Sequence, residues 1–490
     1  MGPTVFRRKP YFELFQDFYE AFPNKRYNGI HQFLKPVLVV RDLELIKQIT
    51  VKDFDHFTDH KQLITKDADP LMGRSLSALN GQSWRDMRAT LSPFFTSGKI
   101  KNMFILLSEC AEQFTEHFQK QGSRSTVIKA EMKDVFTRFA NDAIASVAFG
   151  LQIDSLKERN NRFYLMGKDA TTFAGFGILQ FLLVSLNPVL MKLFNMTVLS
   201  KRVSTFFRHI VKESIQQRED EGLIRPDMIH LLMQARKGQL KYEDEHENNE
   251  DEGTAMFDKC PNPNEKVEKR NSLELSLDDI TAQALIFLFG GIETSATLTC
   301  FIAYELALHF DVQKRLQNEI DETLKECNGK ITYDTLLRMK YLDMVVSETL
   351  RKWPPGVRLD RLCVKDYIIK PKYPDEKPLL IQKNQIVLIP FVGIHRDPKY
   401  FPNPDKFDPE RFSECNKDKI KPISYMPFGL GPRSCIASRF ALMENKLLIF
   451  HLLSRFSFVP VEETLIPVKL GVGTFSLMPD KGFWLGLQPR

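Results

Sequence analysis

Apolar residues recur every three or four positions over much of the chain, which is the spacing of amphipathic helices. The pattern is mostly helical from Ile100 to Arg236. A second long pattern begins at Ser276–Asp279, an S-x-x-D sequence typical of a helix N-terminus. This helix is predicted to run to about Phe310, and its residues Ile280 and Ala284–Phe289 are apolar nearly all round. We therefore expect a long helix that passes through the middle of the protein.

Shorter patterns predict further elements in the second half of the chain. An amphipathic helix is predicted from Tyr341 to Trp353, where two prolines follow. The segment Tyr367–Phe391 is rich in β-type residues around Gln382–Gln385, which predicts strands and a hairpin. The C-terminal pattern Ala441–Phe458 predicts another helix.

The first hundred residues contain one short strand pattern, Pro36–Val40, among helices and loops. No linker of the usual composition divides residues 1–490. The sequence therefore predicts one large domain of the α+β class, mainly α with a minor β-sheet region.

Composition narrows the class of protein. The chain has 490 residues, of which 43% are hydrophobic and 27% charged, as in soluble globular proteins. The net charge of +6 is spread along the chain, so it gives no reason to expect nucleic acid as a partner and fits an acidic partner or an anionic membrane surface. The 7 cysteines form no C-x-x-C pair, which excludes zinc-ribbon and thioredoxin motifs and favours a reducing compartment.

Two segments differ from the rest. The run Tyr242–Lys259 is acidic and poor in apolar residues, and residues 242–270 are predicted to form a flexible loop. The stretch Ala170–Met191 has no charge and is long enough to span a bilayer, but Asn187–Pro188 and two glycines interrupt it. We expect a buried segment or one that inserts into a membrane surface.

The sharpest local pattern is the loop Phe428–Ala437. Its glycines and proline predict a rigid turn that presents Cys435 just before a helix N-terminus. Helix N–H groups can hydrogen-bond a sulfur there and lower the thiol pKa. A preorganised thiolate is what an iron centre requires of a cysteine ligand. A lone cysteine is more often a small buried side chain, but Gly431 and Arg433 at this spacing favour the ligand.

This loop resembles the haem-binding loop of the cytochrome P-450 monooxygenases. Further motifs of that family occur in the same order from about residue 30 to the end: Trp84-x-x-x-Arg88, Gly290–Thr294, Glu348-x-x-Arg351 and Phe407–Phe412, which contains Arg411. The pattern is similar to the microsomal detoxification enzymes of animals, and to the insect members above all.

The resemblance implies a role for each matching residue. Cys435 would be the axial ligand of the iron of haem b, within a loop that includes Phe428 and Gly431. Residues that would bind the haem propionates are Trp84, Arg88, Arg361 and Arg433. Thr294 and Glu293 would hold the activated oxygen and deliver protons, beside a groove opened by Gly290 and Gly291. Glu348, Arg351 and Arg411 would form a buried structural cluster.

Ordinary structural roles compete with several of these assignments. An E-x-x-R pair such as Glu348–Arg351 is often a weak surface ion pair. Trp84 could be a core residue, and glycines in a helix often allow close helix packing. Position 437, two after Cys435, is Ala where the family usually has Gly. A helix tolerates Ala better than Gly, so this difference is not expected to prevent haem binding.

The resemblance also implies a reaction and its partners. The enzyme would insert one oxygen atom of O2 into apolar small molecules such as plant toxins or insecticides. Electrons would come from NADPH through NADPH–cytochrome P-450 reductase, with cytochrome b5 as a second donor. The alternatives are a hydroxylase of an endogenous hormone or lipid, a peroxide-rearranging isomerase on the same fold, and a haem-binding protein without turnover.

The expected location is the cytoplasmic face of the endoplasmic reticulum membrane. The resemblance also leads us to expect an N-terminal anchor, which residues 1–490 do not include, so either this sequence is a fragment or the anchor has been lost. The apolar segment Phe173–Leu193, with Lys192, Lys201 and Arg202 at or beyond its end, is expected to contact the membrane surface.

Overall fold

The computed structural model describes residues 9–32, 35–62, 64–121, 126–171, 197–225, 227–237, 275–472 and 477–490. The predicted acidic loop 242–270 and the apolar segment 173–193 lie outside the described residues.

Helices form most of the described structure. In chain order they are α1 (Tyr11–Glu20), α2 (Leu43–Lys47), α3 (Gly81–Leu91), α4 (Ser97–Gln121), α5 (Met132–Ile144), α6 (Arg162–Thr171), α7 (Lys201–Glu221), α8 (Met228–Arg236), α9 (Leu277–Leu308), α10 (Phe310–Glu326), α11 (Tyr333–Leu337), α12 (Lys340–Lys352), α13 (Phe391–His395) and α14 (Ser438–Arg455). The mainly α class predicted from the sequence is confirmed.

Helix α9 runs through the centre of the fold, as its apolar pattern predicts. A capping box closes its N-terminus: the amide of Asp279 donates to Oγ of Ser276 at 3.1 Å, and the amide of Ser276 donates to the Asp279 carboxylate at 3.1 Å. The helix is long and apolar enough to cross a membrane, but most of its side chains are buried inside the fold. It packs on α5, α7, α12 and α14, so it is a core helix.

The strands form three small sheets. They are β1 (Tyr27–Gln32), β2 (Lys35–Val40), β3 (Ile128–Glu131), β4 (Leu359–Leu362), β5 (Tyr367–Ile369), β6 (Leu379–Ile381), β7 (Ile386–Ile389), β8 (Phe456–Val459) and β9 (Trp484–Pro489). The strand orders are β1-β2-β7-β4, β3-β9-β8 and β5-β6. Strands β2 and β7 pair in parallel, and the other pairs are antiparallel.

Two predicted details are wrong. The predicted strands and hairpin of Tyr367–Phe391 are present as β5 and β6, but the turn Gln382–Gln385 does not close the hairpin, because β7 pairs with β2 and β4. The C-terminal helix ends at Arg455 rather than Phe458, since residues 456–459 pair with β9 as strand β8. In β8, Phe456 and Phe458 are buried and alternate with half-buried residues, which is the period of a strand and not of a helix.

Two hydrophobic clusters organise the described core. The larger one contains residues from Phe12 near the start to Leu487 near the end. The smaller one lies against the four-stranded sheet and includes Ile49, Met426 and Leu430. Since Met426 and Leu430 belong to the segment that leads to Cys435, this second cluster anchors the candidate site to the sheet.

Candidate haem site

Backbone geometry explains why the loop before Cys435 needs its glycines. Gly429 and Gly431 have φ values of 82° and 70°, which favour glycine. A Cβ on Gly431 would lie 2.0 Å from the carbonyl oxygen of Thr50. The amide of Cys435 donates to the carbonyl of Phe428 at 2.8 Å and closes the loop. The loop therefore has one shape and delivers Cys435 just ahead of α14, as predicted.

The thiol of Cys435 borders an internal space. The side chain of Cys435 is exposed, but protein atoms surround it on most sides and desolvate the thiol. The space that it faces therefore lies inside the fold. Burial raises the pKa of the Cys435 thiol, against the opposing effects of the Ala437 amide, which donates to the sulfur, and the charge of Arg88. The prediction that the loop lowers this thiol pKa is therefore wrong for the protein alone, because desolvation outweighs the helix N-terminus. A metal cation bound at the sulfur would reverse this balance, because a coordinating thiol is deprotonated.

Three arginines from different parts of the chain converge on this loop. Arg88 of α3 donates to the carbonyl of Ser434 at 3.0 Å. Arg361 of β4 is fully buried and donates to the carbonyl of Leu430 at 2.9 Å. Arg433 is part of the loop itself. The structure thus brings together three cations that are distant in sequence.

Burial makes this cationic cluster costly in the protein alone. Desolvation lowers the pKa of Arg433 to about 9 and that of Arg361 to about 10. The charges of Arg88 and Arg361 lower the pKa of Arg433 further, while Asp59 partly compensates. The Nε atom of Arg361 is buried without a hydrogen-bond partner in the described part of the chain. Anionic groups bound at this cluster would offset the cost of burying its positive charges.

Trp84 of α3 lies under Arg433. The guanidinium centre of Arg433 is 3.8 Å from the Trp84 ring centroid, and Trp84 is buried. Arg433 also donates to the carbonyl of Thr58 at 2.8 Å. A buried cation–π contact stabilises the arginine and fixes its orientation. Trp84 therefore supports one of the cations of the site.

One face of α9 is exposed, whereas most of the helix is buried. Gly290 and Thr294 are exposed in the middle of this buried helix, one turn apart. A Cβ on Gly290 would meet nothing within 4 Å, so Gly290 lines an open groove. A Cβ on Gly291 would lie 2.6 Å from Ile144 of α5, so Gly291 allows close helix packing instead. The groove prediction thus fits Gly290 and not Gly291.

The two polar residues of the groove have different partners. The Thr294 hydroxyl donates to the Gly290 carbonyl of its own helix. The Glu293 side chain is half-buried and lies 3.0 Å from Nζ of Lys133, measured from Oε1. Lys133 belongs to α5 and was not foreseen from the sequence, because lysines are usually solvated and nothing local marks a buried one.

Glu348, Arg351 and Arg411 form a buried cluster behind the loop. Glu348 and Arg351 have fully buried side chains and pair through two bonds, at 2.8 and 2.9 Å. Nε of Arg411 lies 3.4 Å from Oε1 of Glu348. Full burial distinguishes this pair from a weak surface ion pair.

A buried histidine connects that cluster to the loop. Arg351 donates to the carbonyl of His395 at 3.0 Å. The amide of Met426 in turn donates to Nε2 of His395 at 3.0 Å. Burial lowers the pKa of His395 to about 3, so the ring is neutral and its Nε2 can accept this bond. His395 was not foreseen, and its position just before Arg396 gave no distinguishing signal.

A sequence model named Cytochrome P450 matches residues 7–485. The chain belongs to the cytochrome P450 family. Its relatives include "Cytochrome P450 9e2" of Blattella germanica, 46% identical over 506 residues, which cover 100% of this chain and 90% of that protein. "Probable cytochrome P450 9f2" of Drosophila melanogaster is 40% identical over 498 residues, with 100% and 92% covered. "Cytochrome P450 6k1" of Blattella germanica is 35% identical over 481 residues, with 98% and 88% covered.

These matches confirm the resemblance to insect cytochromes P450. Cytochromes P450 are haem-binding monooxygenases, so this P450 is an enzyme of that class. The residues present fit a haem. Cys435 offers a soft donor to an internal space, and the cluster of Arg88, Arg361 and Arg433 can bind the two carboxylates that a haem carries.

Proposed function

We propose that this P450 inserts one oxygen atom of O2 into a C–H bond of an apolar small molecule. The other oxygen atom leaves as water, with two electrons from NADPH and two protons. Cys435 is the thiolate ligand of haem b in this proposal, and the bound haem supplies the activation of O2. Plant toxins and insecticides are the substrate class, as expected from the resemblance.

The observation that carries this proposal is that the helix with the exposed groove packs against the helix that follows the Cys435 thiol. The helix of Gly290 and Thr294 is bonded to the helix that follows Cys435, since Ser295 donates to Glu444 at 2.6 Å. This contact places α9 against the helix that follows Cys435, and in this proposal the haem lies between Cys435 and the open face of α9. A haem carrier without turnover would have no need of a hydroxyl and a carboxylate in such a groove.

The cationic cluster seats the haem propionates in this proposal. Arg88, Arg361 and Arg433 would donate charge-assisted hydrogen bonds to the two carboxylates of a bound haem, and Trp84 holds Arg433 in place. The orphaned Nε of Arg361 supports this role, because a buried donor without a partner is costly. Phe428 and Gly431 shape the loop.

Thr294 and Glu293 carry protons into the groove. The Thr294 hydroxyl can release Gly290 and donate into the open space beside it. The Glu293 carboxylate, 40% exposed, can exchange protons with water and pass them toward Thr294. Removing either group should therefore affect oxygen chemistry more than substrate binding.

Electron supply and location complete the proposal. NADPH–cytochrome P-450 reductase delivers the electrons, with cytochrome b5 as a second donor. The enzyme works at the cytoplasmic face of the endoplasmic reticulum membrane as one domain, residues 1–490. The apolar segment 173–193 contacts the lipid surface, where apolar substrates collect.

A reduced carbon-monoxide difference spectrum tests haem, thiolate ligation and fold together. We expect the thiolate-type band, and product that depends on NADPH and reductase and takes its oxygen from labelled O2. Product formed without NADPH would favour an isomerase. A thiolate-type spectrum without any turnover over a panel of apolar compounds would favour a carrier.

A further inference from the structure

Lys133 makes an unusual set of contacts with the groove helix. Its Nζ lies 3.0 Å from Oε1 of Glu293, donates to the Glu293 carbonyl at 3.2 Å and donates to Oγ1 of Thr297 at 2.8 Å. An ammonium group has three donors. All three are accounted for by acceptors on a single turn of α9, next to Thr294.

This arrangement is held rigidly from the side of α5. Lys133 is 8% exposed, so its charge must be matched by acceptors in the interior. The Glu131 carboxylate caps α5 and accepts from the amides of Lys133 and Asp134 at 3.3 and 2.7 Å. Two residues before Glu293, the close contact of Gly291 with Ile144 brings the same two helices together. The lysine is therefore fixed at both its backbone and its tip.

We propose that Lys133 is a positioning residue for proton delivery in this P450. It holds the Glu293 carboxylate at the groove by an ion pair and anchors the Glu293 backbone through the carbonyl. The inference rests on the proposed role of Glu293. It assigns to Lys133 no contact with haem or substrate, and its effect passes through Glu293.

The test uses the haem-loaded enzyme with reductase and measures product formed per NADPH consumed. Lys133→Met keeps the apolar stem and removes the charge. We expect product per NADPH to fall by up to about tenfold, with hydrogen peroxide making up the difference. Because Lys133 acts through Glu293, the double variant K133M/E293Q should be no worse than E293Q alone. Unchanged coupling in K133M, or losses that multiply in the double variant, would overturn the proposal.

Lys352 of α12 provides a matched control, because it pairs with another glutamate of α9. Its Nζ lies 2.8 Å from the buried Glu305 of α9, about three turns from Glu293, and Lys352 has a similarly low side-chain exposure of 12%. Lys352→Met should lower the unfolding temperature without changing coupling. An equal loss of coupling in K352M would mean that general destabilisation is the cause, which would refute the positioning role.

A second measurement is independent of turnover. In thermal unfolding of the four proteins (parent, K133M, E293Q and K133M/E293Q), we expect the decrease for the double variant to be clearly smaller than the sum of the single decreases. Additive decreases would show that the ion pair does not form and would overturn the proposal. A parent without the thiolate-type spectrum would instead contradict the proposed function, and this unfolding cycle would still test the contact.

Discussion

Ser295 donates from Oγ to Oε2 of Glu444 at 2.6 Å, and both residues are buried. One turn further along α9, Thr299 donates to Oδ1 of Asn445 at 2.6 Å. A shift of one helix along the other would leave these groups unpaired in the interior, which is costly. The two bonds therefore hold the groove helix in a fixed relation to the helix that follows Cys435.

The Glu444 carboxyl predicts a pH dependence of stability. Burial raises its pKa from 4.5 to about 8, although the Ser295 hydrogen bond opposes the rise. As pH increases, the unfolded chain releases this proton first, so the folded protein loses stability between pH 4.5 and about 8. Glu444→Gln should remove this loss and gain up to about 5 kcal/mol relative to the parent by pH 8.

Denaturant unfolding of the haem-loaded protein at pH 5, 6, 7 and 8 measures this difference. The surface variant Glu112→Gln is the control and should follow the parent at every pH. If E444Q also follows the parent, Glu444 is ionised in the folded protein and the prediction is wrong.

Cys435→Ser should abolish the thiolate-type carbon-monoxide spectrum and all monooxygenation, because a neutral hydroxyl is a poor iron ligand. The measurement is the reduced difference spectrum with turnover in parallel. Cys300 on α9 is fully buried, and Cys300→Ser should keep both signals at a cost of about 1–2 kcal/mol in stability. A C435S protein with the parent's spectrum would contradict the ligand assignment.

Thr294→Ala should uncouple the reaction while haem and substrate binding stay nearly intact. The variant loses the hydroxyl at the open face of α9 but keeps the helix, since Ala favours helix formation. We expect NADPH consumption to continue with more hydrogen peroxide and several-fold less product. Thr294→Ser retains a hydroxyl and serves as the control. Equal coupling in T294A and the parent would exclude Thr294 from the relay.

Arg88 and Arg85 lie on the same helix and give a matched test of haem retention. Arg88 donates to the loop carbonyl of Ser434, whereas Arg85 pairs with Asp55 at the surface. Loss of a charge-assisted bond to a propionate costs about 1.5–3 kcal/mol, so Arg88→Met should speed haem loss by roughly tenfold or more. Arg85→Met should have no effect. Haem transfer to an excess of apomyoglobin measures the rate, and equal rates in the two variants would rule out Arg88 as a propionate ligand.

The buried pair Glu348–Arg351 should dominate stability near the loop. Glu348→Gln leaves the fully buried Arg351 without its counter-charge, which costs about 3–5 kcal/mol. The exposed pair Arg315–Glu410 is the comparison, and Glu410→Gln should cost less than about 1 kcal/mol. The denaturant midpoints of unfolding of the two variants, each compared with the parent, measure these losses. Similar losses would mean that burial contributes little to the pair's importance.

Local patterns predicted much of the fold. The cap at Ser276 and the apolar run after it placed α9 to within two residues, and the helix Tyr341–Trp353 is α12 within one residue. These predictions succeeded because helix caps and helical periodicity depend on neighbours in sequence. The hairpin of the segment Tyr367–Phe391 was predicted, but its turn was misplaced at Gln382–Gln385, because β7 pairs with the distant strands β2 and β4.

Some features of the candidate site could be predicted from local sequence, and others could not. The turn at Gly431 and the thiol of Cys435 could be predicted, since a glycine-rich turn ahead of a helix is a local feature. Neither Lys133 nor His395 could be found, because their importance comes from burial beside Glu293 and Met426. The thiol pKa was also misjudged, since desolvation at Cys435 depends on the whole surrounding fold.

The sequence by itself determined the helical class of this P450, its central helix and the loop that carries Cys435. Spacing, capping and turn residues act over a few positions and can be read directly from the chain. Only the tertiary structure decided which glycine opens the groove and which packs on Ile144. It also decided that Arg88 and Arg361 bind the same loop that contains Arg433. Such relations depend on distances between segments that are far apart in sequence, and these distances are set when the core packs.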